Sequence, residues 1–298
     1  MLTVWTRVAL LLFQAAAKDP LVTTEKLIAA GRFGEALTAL APAPGSVRRH
    51  LLASKAYDGL NDAPHAVEQA EAALSLDPRS EAAHLQLGQI FLGHHTPQAA
   101  ADVFAEALAF HPTSFFLRLG RGLAWKDLMR YEEAEADLRA SVERRPDSAV
   151  AFDALATVYL QTKRFGDLKL LTAAFRVRNP NDYRGPYFAA AARDGSQATG
   201  PEIESLLAES IRLNPNFAAA HALLGKRRLN SGNTASAIAE LEKAVSLRPD
   251  YSPAALHLAQ AYQKAGRPGE AAQAFERVRQ IKAKERTPPP GLLFHRGK

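Results

Sequence analysis

The chain is 298 residues long, contains no cysteine and carries a formal net charge of +6. The missing thiols exclude disulfides, thiol catalysis, cysteine-bound metal and a bacterial lipoprotein anchor. The charge excess sits in residues 277–298, where seven basic side chains face the single acid Glu285. The rest of the chain is neutral, which argues against a nucleic-acid binder needing many phosphate contacts along its surface.

Residues 1–17 begin with a short n-region holding Arg7. An apolar stretch from Val8 to Phe13 follows, then Ala15-Ala16-Ala17. This is the pattern of a secretory signal peptide cut after Ala17, and it is too short to span a bilayer. Its expected consequence is a periplasmic or secreted product. The alternative is an extra helix capping the next segment in a cytoplasmic protein.

From residue 47 onward a period takes over. Pro78, Pro112, Pro146, Pro180, Pro215 and Pro249 stand 34 or 35 residues apart. A fixed period of that length is the mark of stacked helix-turn-helix repeats. Length alone would suggest two domains, whereas the period predicts one elongated solenoid in which each repeat touches its neighbours.

With each proline set at position 32, small residues recur at position 8: Ser54, Gly88, Gly122, Ala156, Ala190, Gly225 and Ala259. Position 20 is also mostly small, with Ala66, Ala100, Ala134, Ala237 and Ala271. Two helices approach closely only where both contact positions are small, because added bulk overpacks the pair. Large residues at position 11 (Tyr57, Phe91, Trp125, Tyr159, Tyr262) and position 24 (Phe104, Leu138, Leu241, Phe275) then fill the space between repeats. Each proline ends a second helix. Ser80, Ser114, Ser148, Asp182, Asn216 and Ser252 follow as expected caps of the next first helix. Ser252-Pro253 and Thr96-Pro97 read as a cap followed by an N1 proline. Gly232 and Gly266 fall in the turn inside a repeat, where positive φ is easy.

These residues resemble the tetratricopeptide repeat. Phe152-x2-Leu155-Ala156-x2-Tyr159 and His84-x2-Leu87-Gly88-x2-Phe91 match that family's first-helix pattern, and Ala100-x3-Phe104 and Ala271-x3-Phe275 match its second. The resemblance covers residues 47–284 as seven repeats, with residues 18–46 as a shortened first repeat around Gly31, Phe33 and Ala36. It implies an all-α, right-handed superhelical solenoid of antiparallel helix pairs. It also implies a concave groove lined by positions 2, 5, 9, 12 and 13 of each first helix. Carried over residue by residue, the groove holds Leu85, Gln89, Phe116, Leu119, Leu123 and Lys126. It continues through Asp153, Thr157, Leu160, Tyr187, Lys226, Asn230 and Gln260. Apolar anchors among amides and scattered cations suit a peptide with apolar side chains and an acidic flank. The family's clamp for a terminal carboxylate needs Asn at position 9, which no repeat has.

Between Pro180 and Pro215 one residue is extra, and Arg193 replaces the position-11 aromatic. A longer loop over 193–201 is therefore expected. The last helix, about 268–284, becomes highly charged, as an uncovered terminal repeat requires. Residues 285–298 are read as a basic, proline-rich disordered tail.

Little in the chain points to chemistry. His94-His95 lacks a third ligand at useful spacing, so no metal site is expected. His84 and His221 read as packing residues. Gly120-Arg121-Gly122 lacks the strand and third glycine of a dinucleotide loop. Glu132-Glu133 and Glu202/Glu204 read as a solvated outer face. The expectation is a non-enzymatic scaffold without cofactors. It would bind a protein or peptide in its groove, possess no stable membrane span, and serve assembly at the envelope or outside the cell. The alternative is a substrate-selecting accessory subunit of an enzyme complex such as a transferase. The sequence leaves the oligomeric state open.

Overall fold

A computed structural model describes residues 19–197 and 200–286. Residues 1–18 and 287–298 lie outside the described residues, so the signal-peptide expectation and most of the tail expectation fall there, while residues 285 and 286, expected in the disordered tail, belong to the last helix. Among the described residues the fold is sixteen α-helices and no strands, running as eight consecutive pairs. The chain divides into two compact units, with the division falling between Asp137 and Leu138 inside α8.

The first unit contains α1 (Pro20–Ala29), α2 (Phe33–Leu40), α3 (Val47–Gly59), α4 (Ala63–Leu76), α5 (Glu81–Gly93), α6 (Pro97–Phe110), α7 (Phe115–Asp127) and the start of α8 (Tyr131–Arg144). Its core is set by close approach. The Phe104 ring is 1% exposed and lies against backbone that has no Cβ to offer. A Cβ built on Gly88 would stand 2.3 Å from that ring, and one on Gly120 would stand 2.6 Å from it. The tight contact expected at position 8 is made at Gly88 of α5, and α6 makes a second one at Gly120 of α7, which stands at position 6. Burying a Phe side chain contributes about 1.5–3 kcal/mol, so the glycines give stability by making room. Where position 8 is a hydroxyl residue it bonds across the pair instead, with Ser54 Oγ donating to Ala66 O at 2.7 Å. Arg121 of the Gly-Arg-Gly run forks onto the buried Asp137 carboxylate at 2.6 and 2.9 Å.

The second unit continues from α8 through α9 (Ala149–Gln161), α10 (Phe165–Arg178), α11 (Arg184–Gly195), α12 (Glu202–Leu213), α13 (Ala218–Asn230), α14 (Thr234–Leu247), α15 (Ser252–Lys264) and α16 (Pro268–Arg286). Phe152 stacks on Phe175 with centroids 3.7 Å apart and meets Phe188 edge-on at 5.6 Å. Gly225 repeats the close approach, its absent Cβ falling 2.5 Å from Leu241. The position-11 arginines are also accounted for. Arg228 donates to Glu240 at 2.8 Å, and Arg193 pairs with Glu202 at 2.7 Å.

The turn inside each pair follows one rule. Its middle residue is left-handed in Gly31, Asn61, His95, Met129, Lys163, Gln197, Gly232 and Gly266. Seven of these turns close the same way, as in Arg130 N–H to Trp125 O at 2.9 Å and Arg164 N–H to Tyr159 O at 2.8 Å. This is the Schellman closure of a helix C-terminus. The residue after the left-handed one is arginine in four pairs, Arg32, Arg130, Arg164 and Arg267, and the last three have an aromatic at position 11. In those three the guanidinium lies over the position-11 ring at 4.1 Å (Arg130 on Trp125), 4.8 Å (Arg164 on Tyr159) and 4.7 Å (Arg267 on Tyr262).

Several boundary expectations need correction. Ser80, Ser114 and Ser148 do cap α5, α7 and α9, each accepting a backbone N–H three residues on. For α15 the cap residue is Tyr251, and Ser252 lies inside the first turn, which puts Pro253 one residue later than expected. Phe217 caps α13 without a side-chain bond, so Asn216 is not its cap. Tyr183 takes the cap position of α11, although Asp182 Oδ1 still accepts Arg184 N–H at 2.9 Å. In these repeats an aromatic occupies the cap position because its ring is used in packing. Tyr183 and Phe217 lie 4.7 Å apart. Thr96 precedes Pro97 as expected but does not cap through its side chain; its hydroxyl donates back to Phe91 O at 2.8 Å. The α11–α12 connection is long, yet Arg193 belongs to α11, which runs on to Gly195.

Candidate functional site

In the second unit, the first helices of four successive pairs meet around a cavity of about 350 Å³. Its apolar wall is Leu160 of α9, Phe165 of α10 and Leu223 of α13, with Ala191 and Ala219 as small floor positions. Gly195 permits the wall to close, since a Cβ there would stand 2.2 Å from the Phe165 ring. The polar lining is Tyr187, Tyr251, His257, Lys163, Lys226 and Asp194.

The polar groups differ in how far they are already satisfied. Asp194 is engaged at both oxygens, by Lys226 Nζ at 2.8 Å and by Arg227 Nη1 at 3.2 Å. Tyr187 packs edge-on against Phe217 with centroids 4.9 Å apart. Burial pushes its phenol far above the ordinary value, and burial pushes Tyr251 upward as well, so both hydroxyls stay protonated donors. Among the described residues neither hydroxyl has a hydrogen-bond partner, and Lys163 has no ion pair. Burial pulls the His257 imidazole down, the nearby Lys226 charge adds to this, and the Gln260 contact at 3.1 Å opposes it.

The sequence-expected groove residues are distributed unevenly around this cavity. Leu160, Tyr187 and Lys226 line it. Asp153 stands 3.8 Å from Arg184, Thr157 is half-buried, Asn230 is exposed at the end of α13, and Gln260 holds the His257 ring. In the first unit Phe116 is half-exposed and meets Phe115 edge-on, while Leu119 is only 9% exposed and so offers little surface. Leu85 packs on the core, Leu123 is half-buried, Gln89 is exposed, and Lys126 pairs with Asp127 at 2.8 Å.

Tyr251, His257, Lys163, Phe165 and Asp194 were not among the expected groove residues. The first four stand outside the five transferred positions. Asp194 stands at position 12, but the stretch from Arg193 onward reads as loop in sequence. The signal that could have found it is the helix-compatible run Ala189–Asp194.

No group of three metal-ligating side chains exists among the described residues. His95 sits in a left-handed turn, and His94 Nε2 is 3.5 Å from Asp58. His84 and His221 are buried, the latter between Glu240 and Pro215 O. Glu202 and Glu204 face the arginines of α11 and α13, and Glu133 faces Arg130. No helix among the described residues is long and apolar enough to cross a membrane.

Family models described as tetratricopeptide repeat match residues 51–115 and 228–287. This chain is a tetratricopeptide-repeat protein. Solved structures agree on the fold of this repeat protein. A tetratricopeptide-repeat protein from Parabacteroides merdae superposes with TM-score 0.68 at 17% identity, over 81% of this chain and 95% of that one. Yeast Tom70 gives 0.61 at 18% identity, over 86% of this chain and 56% of its own length. The C-terminal part of a repeat protein from Cytophaga hutchinsonii gives 0.58 at 15% identity, over 80% and 99%. At these identities the likeness is one of fold. No curated protein matches the chain in sequence. As a tetratricopeptide-repeat protein it is a protein-interaction scaffold.

Proposed function

We propose that the chain is a non-enzymatic scaffold that holds a peptide or protein segment against the first-helix face of its second unit. The observation that carries this reading is the cavity of about 350 Å³. Its lining comes from four successive helix pairs, and its polar groups without a protein partner suit binding rather than form a nucleophile paired with a base. The family's habit of presenting first helices to a ligand supports the same reading. We further propose that the chain acts in a periplasm or outside the cell, on the strength of the signal-like pattern of residues 1–17.

Affinity capture from the native source tests both parts. A partner lost with Leu223→Arg and kept with Leu123→Arg, at unchanged helical content, supports binding at the second unit. Loss with neither substitution would overturn it. A captured chain starting at Lys18 supports export, and a chain starting at Met1 contradicts it. An enzyme subunit as the captured partner would give the scaffold the accessory, substrate-selecting role.

A further inference from the structure

The polar groups of the cavity that have no protein partner point to the kind of ligand it suits. Taken together the charges are unbalanced. Asp194 has both oxygens engaged by two cations, Lys226 and Arg227, so its negative charge is more than matched by theirs. Lys163 adds another cation at the rim, held in the left-handed turn at φ 58°. His257 adds no charge near neutral pH, since its imidazole is pulled down by burial. The Tyr187 and Tyr251 hydroxyls remain as donors. A ligand that brings acceptors and negative charge complements the rim. The wall of Leu160, Phe165 and Leu223 asks for an apolar group. A volume near the lower end of the usual range of about 300–1,000 Å³ fits one or two side chains rather than a whole helix.

We propose that the cavity takes an acidic peptide segment, with one large apolar side chain seated on Leu160, Phe165 and Leu223 and a neighbouring carboxylate on Lys163. This rests on the reading of the second unit as the binding face. The two tyrosine hydroxyls then donate to the peptide's carbonyl or carboxylate oxygens.

The test is an array of nine-residue peptides with Leu, Phe or Ala at the centre and flanks of Asp and Glu, of Ser, or of Lys. The full chain is applied as wild type, Lys163→Glu and Ala219→Trp, with circular dichroism checking that each variant is folded. Wild type is expected to select Leu- or Phe-centred peptides with acidic flanks. Lys163→Glu should cut that flank preference roughly fivefold, the scale of one partly exposed ion pair. Ala219→Trp, which fills the cavity, should abolish binding of every peptide. Apolar-centred peptides binding equally well with all flanks, or better with Lys, would overturn the acidic ligand while leaving the binding face standing. No binding by any peptide, or binding unchanged in folded Ala219→Trp, would overturn the binding face and the acidic ligand with it.

Discussion

Replacing Gly88 by alanine should destabilise the chain, although alanine is the better helix former. The added methyl would stand 2.3 Å from Cζ of Phe104, a ring only 1% exposed with no free space to retreat into. Overpacking of this kind costs roughly 1–3 kcal/mol. The gain in helix propensity from Gly to Ala returns about 1 kcal/mol. The net loss is then on the order of 1 kcal/mol, measurable against a typical domain stability of about 5–15 kcal/mol. The reasoning is tested most sharply by changing the sign. Phe104→Leu removes the ring atoms that meet the methyl, so in that background Gly88→Ala should stabilise by about 0.5–1 kcal/mol. Urea denaturation of the four variants, followed by far-UV circular dichroism, reads both effects. Gly88→Ala stabilising the wild-type chain, or having the same sign in both backgrounds, would refute the packing argument.

Further outcomes follow from other sites. Met129 is 73% exposed and left-handed at φ 59°, so Met129→Gly should raise stability by up to about 1 kcal/mol in the same denaturation assay, whereas Met129→Val should lower it. Arg121→Ala removes the fork from the buried Asp137 carboxylate, which keeps Arg118 at 3.6 Å among its partners, and should cost about 1–3 kcal/mol. His257 binds its proton less readily folded than unfolded, so the unfolded chain gains protons first as pH falls below about 6.5. Stability should drop between that pH and the lower folded value, and His257→Gln should flatten this part of a melting-temperature profile. Leu170 and Val177 are 72% and 83% exposed on α10, so Leu170→Lys and Val177→Lys should leave the unfolding free energy within about 0.5 kcal/mol of wild type in urea denaturation.

The parts of the fold that sequence made legible are those fixed by size. Gly88 and Gly225 at position 8 announce themselves because no larger side chain fits beside Phe104 or Leu241. The left-handed turns were legible only where glycine marks them, at Gly232 and Gly266. Asn61, His95, Met129 and Lys163 adopt the same backbone because the Schellman closure and the following packing impose it. Serine caps were readable in the earlier pairs, but Phe217 and Tyr251 displaced the expected caps by entering the packing between pairs. The candidate site was legible at Leu160, Tyr187 and Lys226, which point inward by their place on a first helix. It was not legible at Tyr251 and Lys163, whose side chains reach the cavity from turns, where helical spacing gives no guidance.

The central claim is that the second unit's first-helix face holds a protein segment. Photocrosslinking in the native source tests it most directly, with a benzophenone amino acid placed at Leu223 in one variant and at Leu170 in another. The account predicts an adduct at Leu223 that maps by mass spectrometry to one acidic, apolar-centred segment of one protein, and none of it at Leu170. The same adducts at both positions, or a partner crosslinked only at Leu170, would contradict it.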